Sequence, residues 1–219
     1  MPMPRMAPDS TAAPLSALLR GHTAPLHAQV ERLLGLPQSV QDRRGYCRLL
    51  ERFFGLYQPL EDGFRQFDEW RSLGLSLEAR SHCNALAGDL IALGSDPNRV
   101  PRMAPGQLPD LPAFPHALGA LYVLEGATLG GRIILRDLET RMGPEIAGAT
   151  RFLRGHGVDT GPMWKSFQAV LDDFGRSHPD AGTDVLSGAA RAFRAVLTWF
   201  TPLLSELNGN ENSIPAGQA

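Results

Sequence analysis

Apolar residues recur three or four positions apart along most of the chain, and no run of strict alternation occurs, so the pattern predicts helices throughout and no strands. Leu15, Leu18, Leu19, Leu26, Val30, Leu33 and Leu34 mark a first helix, which Leu36-Pro37 closes. Pro25 predicts a break or kink within it, with Thr23 placed to cap the second half. A second helical segment begins at Ser39, carries Tyr46, Leu49, Leu50, Phe53, Phe54 and Tyr57 as its stripe, and is interrupted at Pro59. A shorter helix through Phe64 and Phe67 follows. Ser76 caps the next, in which Leu77, Ala79, Cys83, Leu86, Leu90 and Ile91 lead to a stop at Gly94.

Six prolines between Ser95 and Pro115 exclude both helix and central strand and predict an irregular surface connection. Pro115 suits the first turn of a helix, and from there Leu118, Leu121, Tyr122, Leu129, Ile133, Ile134 and Leu138 carry a long apolar run to Gly143. A Gly-rich loop, Gly143 to Gly161, then precedes two helices, Pro162 to Phe174 and Thr183 to Leu207. Trp164, Trp199 and Phe200 fall at helical spacing among apolar neighbours and read as core. The expected organisation is one all-α, multi-helix domain over residues 15–207, with a flexible N-terminus (1–14) and a disordered tail (208–219).

Composition narrows the function. Basic and acidic residues, 21 against 23, are mixed along the 219-residue chain for a net charge of −2, without the basic stripe that a nucleic-acid binder shows. The longest charge-free apolar stretch, Leu111 to Leu124, is broken by Pro112, Pro115 and His116 and falls short of the roughly 20 residues of a membrane span. Residues 1–20 lack the apolar run of a secretory signal, so a cytoplasmic protein is expected. Cys47 and Cys83 form no Cys-x-x-Cys pair and read as small buried residues.

Two constellations carry candidate chemistry. On the first helix Arg20, Thr23, His27, Glu31 and Leu34 share one face. His27 can serve as a single axial ligand to a haem iron, Glu31 can orient its other ring nitrogen, and Arg20 can neutralise a haem propionate. Taken alone, a His–Glu pair one turn apart is also a common ornament of a solvated face. In the long helix, Gly119, Gly126, Gly130 and Gly131 each cost about 0.5–1 kcal/mol relative to Ala, so they need a packing or functional reason. Gly126 and Gly130, four apart, clear one stripe of the helix, either for a flat ligand or for a close helix neighbour. The segment has no Gly-Lys-Ser/Thr and follows a helical pattern, which excludes a phosphate loop. His22, His82, His116, His156 and His178 show no ligand spacing and read as ordinary surface or core residues.

Together, Leu19-Arg20-x-x-Thr23-x-x-x-His27-x-x-x-Glu31 and Leu121-Tyr122-Val123-Leu124-Glu125-Gly126-Ala127-Thr128-Leu129-Gly130-Gly131 resemble the haem oxygenase family, in particular its bacterial, biliverdin-producing members. The resemblance implies a helical bundle with haem held between the N-terminal proximal helix and a kinked, Gly-rich distal helix. It makes His27 the iron ligand, Glu31 its neighbour, and Gly126, Gly130 and Gly131 the catalytic distal backbone. Arg20 and Tyr122 become propionate partners, and Arg132 a propionate or proton-delivery group. Ala127 stands where eukaryotic-type members carry an aspartate, so proton delivery passes to backbone groups and ordered water, and Glu125 reads as structural. The implied activity is oxidative opening of haem to biliverdin with release of iron and carbon monoxide. It uses O2 and an external electron donor (ferredoxin, flavodoxin or reductase), since no flavin, nicotinamide or iron–sulfur fingerprint is present. A bacteriophytochrome is an implied biliverdin acceptor. A haem carrier or sensor without turnover, and a helical domain without haem, are the alternatives.

Overall fold

A computed structural model describes residues 13–208, with side chains described to residue 202. The expectations for residues 1–12 and 209–219 lie outside the described residues. No strand occurs among those described, and the helices are, in order, α1 (Leu15–Leu34), α2 (Arg43–Phe64), α3 (Glu69–Ser72), α4 (Leu77–Arg80), α5 (Cys83–Ala92), α6 (Phe114–Ile146), α7 (Arg151–Arg154), α8 (Thr160–Ser177) and α9 (Gly182–Asn208). Short 3-10 turns punctuate the proline-rich connection between α5 and α6.

α1 is continuous through Pro25, contrary to the expected break. A proline ring clashes with the carbonyl four residues back, and that residue is Gly21, which is exposed and has open space around it. Solvent reaches the carbonyl that Pro25 leaves without a donor. Thr23 is accordingly no cap: it is buried in mid-helix, and its hydroxyl donates to the Leu19 carbonyl at 2.8 Å. Gly35, at φ 56°, ends the helix by donating its N–H to Glu31 O.

α2 starts later than Ser39, at a cap formed by Asp42, whose carboxylate accepts from the Gly45 N–H at 2.6 Å. The Ser39 hydroxyl instead donates to the Leu34 carbonyl. Pro59 does not interrupt α2, because the Gly55 carbonyl it leaves without a donor accepts the Met103 N–H at 2.9 Å from the proline-rich connection. Phe64 therefore ends α2 and does not open a new helix. Ser76 caps α4 as expected, accepting from the Ala79 N–H, but α4 and α5 are separate. Between them the Glu61 carboxylate accepts the Ser81 hydroxyl at 2.5 Å and the His82 N–H at 2.8 Å, holding the chain out of helix.

α6 is the central element. From Phe114 to Glu125 it is buried almost all round, which requires neighbours on every side. It runs past Gly143 with a non-helical residue at Met142 and ends at Ile146. The expected Gly-rich loop holds the one-turn helix α7, whose first N–H groups (Arg151 and Phe152) donate to the buried Asp89 carboxylate. α6 is long and apolar enough to cross a membrane by length and composition, but 61% of its apolar window is buried within the protein. α6 packs most extensively on α9, which also carries α1 and the C-terminal half of the core. The approach is at backbone distance: a Cβ on Gly119 would run into the Val185 carbonyl of α9, and a Cβ on Gly188 into the His116 carbonyl of α6. Trp199 and Phe200 are buried, as expected of core residues, and the Trp199 indole N–H donates to the Arg52 carbonyl at 2.7 Å.

Candidate functional site

α1 presents His27 to solvent, with 59% of its side chain exposed. Its Nδ1 stands 3.5 Å from Glu31 Oε2, one turn on, and its ring meets Phe193 of α9 edge-on at 6.0 Å. With Nδ1 turned toward a carboxylate, Nε2 is the nitrogen left to coordinate a metal. Arg20, two turns earlier, is exposed.

Tyr122 joins α6 to this helix. It is buried, and burial pushes its hydroxyl up in pKa while a hydrogen bond with Thr23 and the charge of Arg20 work the other way. Arg20, Thr23 and Tyr122 thus form one group at the α1–α6 contact. The Tyr122 ring also packs on Trp164 of α8 at 5.4 Å. On an ideal helix Tyr122, Gly126, Leu129, Gly130 and Ile133 fall within about 100° of one another. Beyond Tyr122 this face is open, with Leu129, Gly130 and Ile133 exposed.

Of the five glycines of α6, Gly143 lies past the non-helical Met142, and the other four divide by what surrounds them. Gly119 is demanded by α9, as above. Gly131 points about 140° away from Gly126, and a Cβ on it would lie 2.7 Å from the Leu153 carbonyl of α7, so packing explains it. It does not share the open face of Gly126 and Gly130. A Cβ on Gly126 would make an ordinary 3.7 Å contact with Trp164, and one on Gly130 would meet nothing within 4 Å. Packing asks for neither of these two. Arg132 is exposed, and Ala127 is exposed with no carboxylate beside it on the helix surface.

On the buried side of α6, about 100° round the helix from Gly126, the structure shows a group that spacing did not reveal. Glu125 is buried, and its Oε2 accepts from Arg80 Nη1 at 2.6 Å. The Arg80 guanidinium also lies over the Phe167 ring at 5.4 Å. Burial pushes the Glu125 carboxyl up to about 7, against the pull of Arg80. His82 and His156 close on the same point, their rings 5.1 Å apart. Burial, with the neighbouring His156, lowers His82 to about 4, and burial with Arg80 lowers His156. These two histidines lie far apart in sequence on different elements, so no local motif could have paired them. Glu125 is structural in the sense expected, as the partner of Arg80, but it does not stand alone.

Residues 13–202 match the family model described as Heme oxygenase. A Xanthomonas campestris pv. campestris (strain 8004) protein named Heme oxygenase is 32% identical over 161 residues, covering 72% of this chain and 90% of that protein. The fold is shared with the haem oxygenase of Neisseria meningitidis, solved with NO and CO bound, at a TM-score of 0.69, 21% identity and coverage of 94% of this chain and 99% of that one. It is shared equally with the haem oxygenase of Leptospira interrogans, at a TM-score of 0.68, 18% identity and coverage of 87% and 100%. The all-helical architecture agrees with these matches, and the chain belongs to the haem oxygenase family.

Proposed function

We propose that this protein binds haem through His27 Nε2 and opens the ring to biliverdin, with release of iron and carbon monoxide, using O2 and electrons from an external donor. The observation that carries the reading is an exposed imidazole with its Nδ1 turned to Glu31, on a helix tied to α6 by the Thr23–Tyr122 hydrogen bond, one turn before Gly126. The donor set fits the group: one imidazole for the iron, a carboxylate to orient it, a guanidinium and a phenol at the α1–α6 contact for a propionate, and an exposed apolar face for the ring. Haem, when bound, supplies the oxygen chemistry and is itself the substrate.

The chain's own residues hold and orient. Glu31 fixes the imidazole through Nδ1, and Arg20 with Tyr122 sets how the ring is turned, and so which edge is attacked. Gly126 and Gly130 let backbone approach where side chains would stand in the way, and Leu129 and Ile133 exclude water from the ring. Ala127 keeps a carboxylate away from that face, so protons come through backbone groups, ordered water and the nearby Arg132. Electrons come from a ferredoxin, flavodoxin or reductase. A cytoplasmic setting and a bacteriophytochrome as biliverdin acceptor belong to the same reading.

A single-turnover assay tests it. Haemin-loaded protein is given reductant in air with catalase present, and the visible spectrum is followed. Loss of the Soret band with growth of a bile-pigment band is the expected result. A Soret band that shifts on reduction and then persists assigns the protein to haem carriage or sensing, and the roles given to Gly126 and Gly130 are then withdrawn.

A further inference from the structure

Below the exposed surface of α6, three ligand-type side chains converge. His82 stands at the boundary of α5, Glu125 on the buried side of α6, and His156 in the turn after α7. His82 and Glu125 are 4% and 2% exposed. His82 Nε2, His156 Nε2 and Glu125 Oε1 are each buried without a hydrogen-bond partner, and one ligand atom from each residue lies within 4.8 Å of those of the other two. Buried polar atoms are almost always satisfied, and three orphans sharing one point ask for a common partner.

We propose that His82, His156 and Glu125 form a binding site for a first-row divalent transition-metal cation, separate from the haem and independent of its degradation. Two imidazoles and one carboxylate, with positions left for solvent, suit Fe2+, Co2+ or Zn2+, whereas Ca2+ and Mg2+ ask for oxygen ligands. Contacts around the three residues hold them in place. Arg80 Nη1 holds Glu125 Oε2 and leaves Oε1 without a hydrogen-bond partner. The backbone N–H of His82 donates to Glu61 Oε1 at 2.8 Å, and the backbone N–H of His156 to Thr160 Oγ1 at 3.1 Å. The positive charge of Arg80 opposes a cation, and the carboxylates of Glu125 and Glu61 together outweigh it.

Metal–nitrogen bonds of about 2.0–2.1 Å put ligand atoms about 3.3 Å apart in a tetrahedron, so the three groups must draw together on binding. His156 is the member able to move. It is half-buried, in a short turn between Gly155 and Gly157, both at positive φ, while His82 and Glu125 are fixed in the core.

The test uses tag-free, haem-free, chelator-stripped protein and Co2+ as the probe, read by visible d–d absorption and by calorimetry. One Co2+ per chain is expected, retained in His27→Ala and bound more than tenfold more weakly in His156→Ala. The His156→Ala chain is checked for an unchanged circular dichroism spectrum and an unchanged Soret band with haemin, so that misfolding is told apart from loss of a ligand. Absence of bound Co2+ at millimolar concentration, equal binding by wild type and His156→Ala, or loss of binding in His27→Ala would each overturn the proposal. Water would then be the partner of the three atoms. Failure of haem turnover leaves this result untouched.

Discussion

The Cβ that Gly131 lacks would lie 2.7 Å from the carbonyl oxygen of Leu153, whereas the Cβ that Gly130 lacks would meet nothing within 4 Å. Two adjacent glycines of one helix therefore have opposite reasons to be there. Gly131→Ala presses α6 against α7 backbone, which cannot swing aside as a side chain does, and is expected to destabilise by about 1–3 kcal/mol. Gly130→Ala relieves a poor helix former at an exposed position and is expected to stabilise by up to about 1 kcal/mol. Urea unfolding of the two variants measures both. Equal losses would mean that α6 and α7 are not packed as described. Gly130→Ala is also expected to slow haem turnover despite its gain in stability, since its added methyl group stands on the face assigned to the ring.

Arg80 and Glu125 make a buried ion pair, with side chains 7% and 2% exposed. The pair need not be worth much against an apolar replacement, but either member left alone is a buried, uncompensated group. Glu125→Ala is expected to cost about 3–5 kcal/mol, and the double replacement Arg80→Met with Glu125→Leu to recover most of it. A double-mutant cycle by denaturant unfolding reads the coupling. A single-variant loss below about 1 kcal/mol would show that the pair is not ionised in the folded chain.

His82 and Glu125 give the metal-free protein opposing pH dependences. His82 is held at about 4 in the folded chain, against about 6.5 unfolded. As pH falls from about 6.5 to 4 the unfolded chain takes up a proton that the folded chain refuses, so this residue's share of stability is lost over that window. Glu125, raised from 4.5 to about 7, works the other way. Between those values the folded chain keeps a proton that the unfolded chain releases, and stability falls as pH rises. In His82→Gln the first effect is removed. Relative to wild type the variant is expected to gain stability as pH is lowered from 6.5 to 4, by up to about 3 kcal/mol. Urea unfolding at a series of pH values, with EDTA present, measures the difference. A constant difference across the series would mean that His82 titrates normally in the folded protein.

Local patterning made the helices legible, along with the proline-rich connection and the face shared by Arg20, His27 and Glu31, because these depend on spacing within one element. The errors came where a distant group settles a local question. Pro59 fails to break α2 because Met103, in another part of the chain, takes the Gly55 carbonyl. α4 and α5 separate because Glu61 captures Ser81 and His82. The same holds at the site. The glycines at 119, 126, 130 and 131 of one helix announce a special surface, but only the positions of α7 and α9 tell which are consumed by packing. The pairing of His82 with His156 has no counterpart in spacing, since three elements meet to make it.

His27 separates binding from stability. Its side chain is 59% exposed, Glu31 is 68% exposed, and the 3.5 Å contact between them is of the surface kind that contributes little to folding. His27→Ala is therefore expected to unfold within about 0.5 kcal/mol of wild type. Haemin binding should respond sharply: the Soret shift of the wild-type complex is expected to be lost, and added imidazole to restore it by taking the vacated axial position. Glu31→Gln retains a polar group beside Nδ1 but removes the charge, so it is expected to keep the axial bond and alter its strength, seen as a displaced Soret maximum and weaker haemin affinity. A His27→Ala chain that is stable and still gives the wild-type Soret band would show that another residue holds the iron, and the face assigned on α1 would then have to be abandoned.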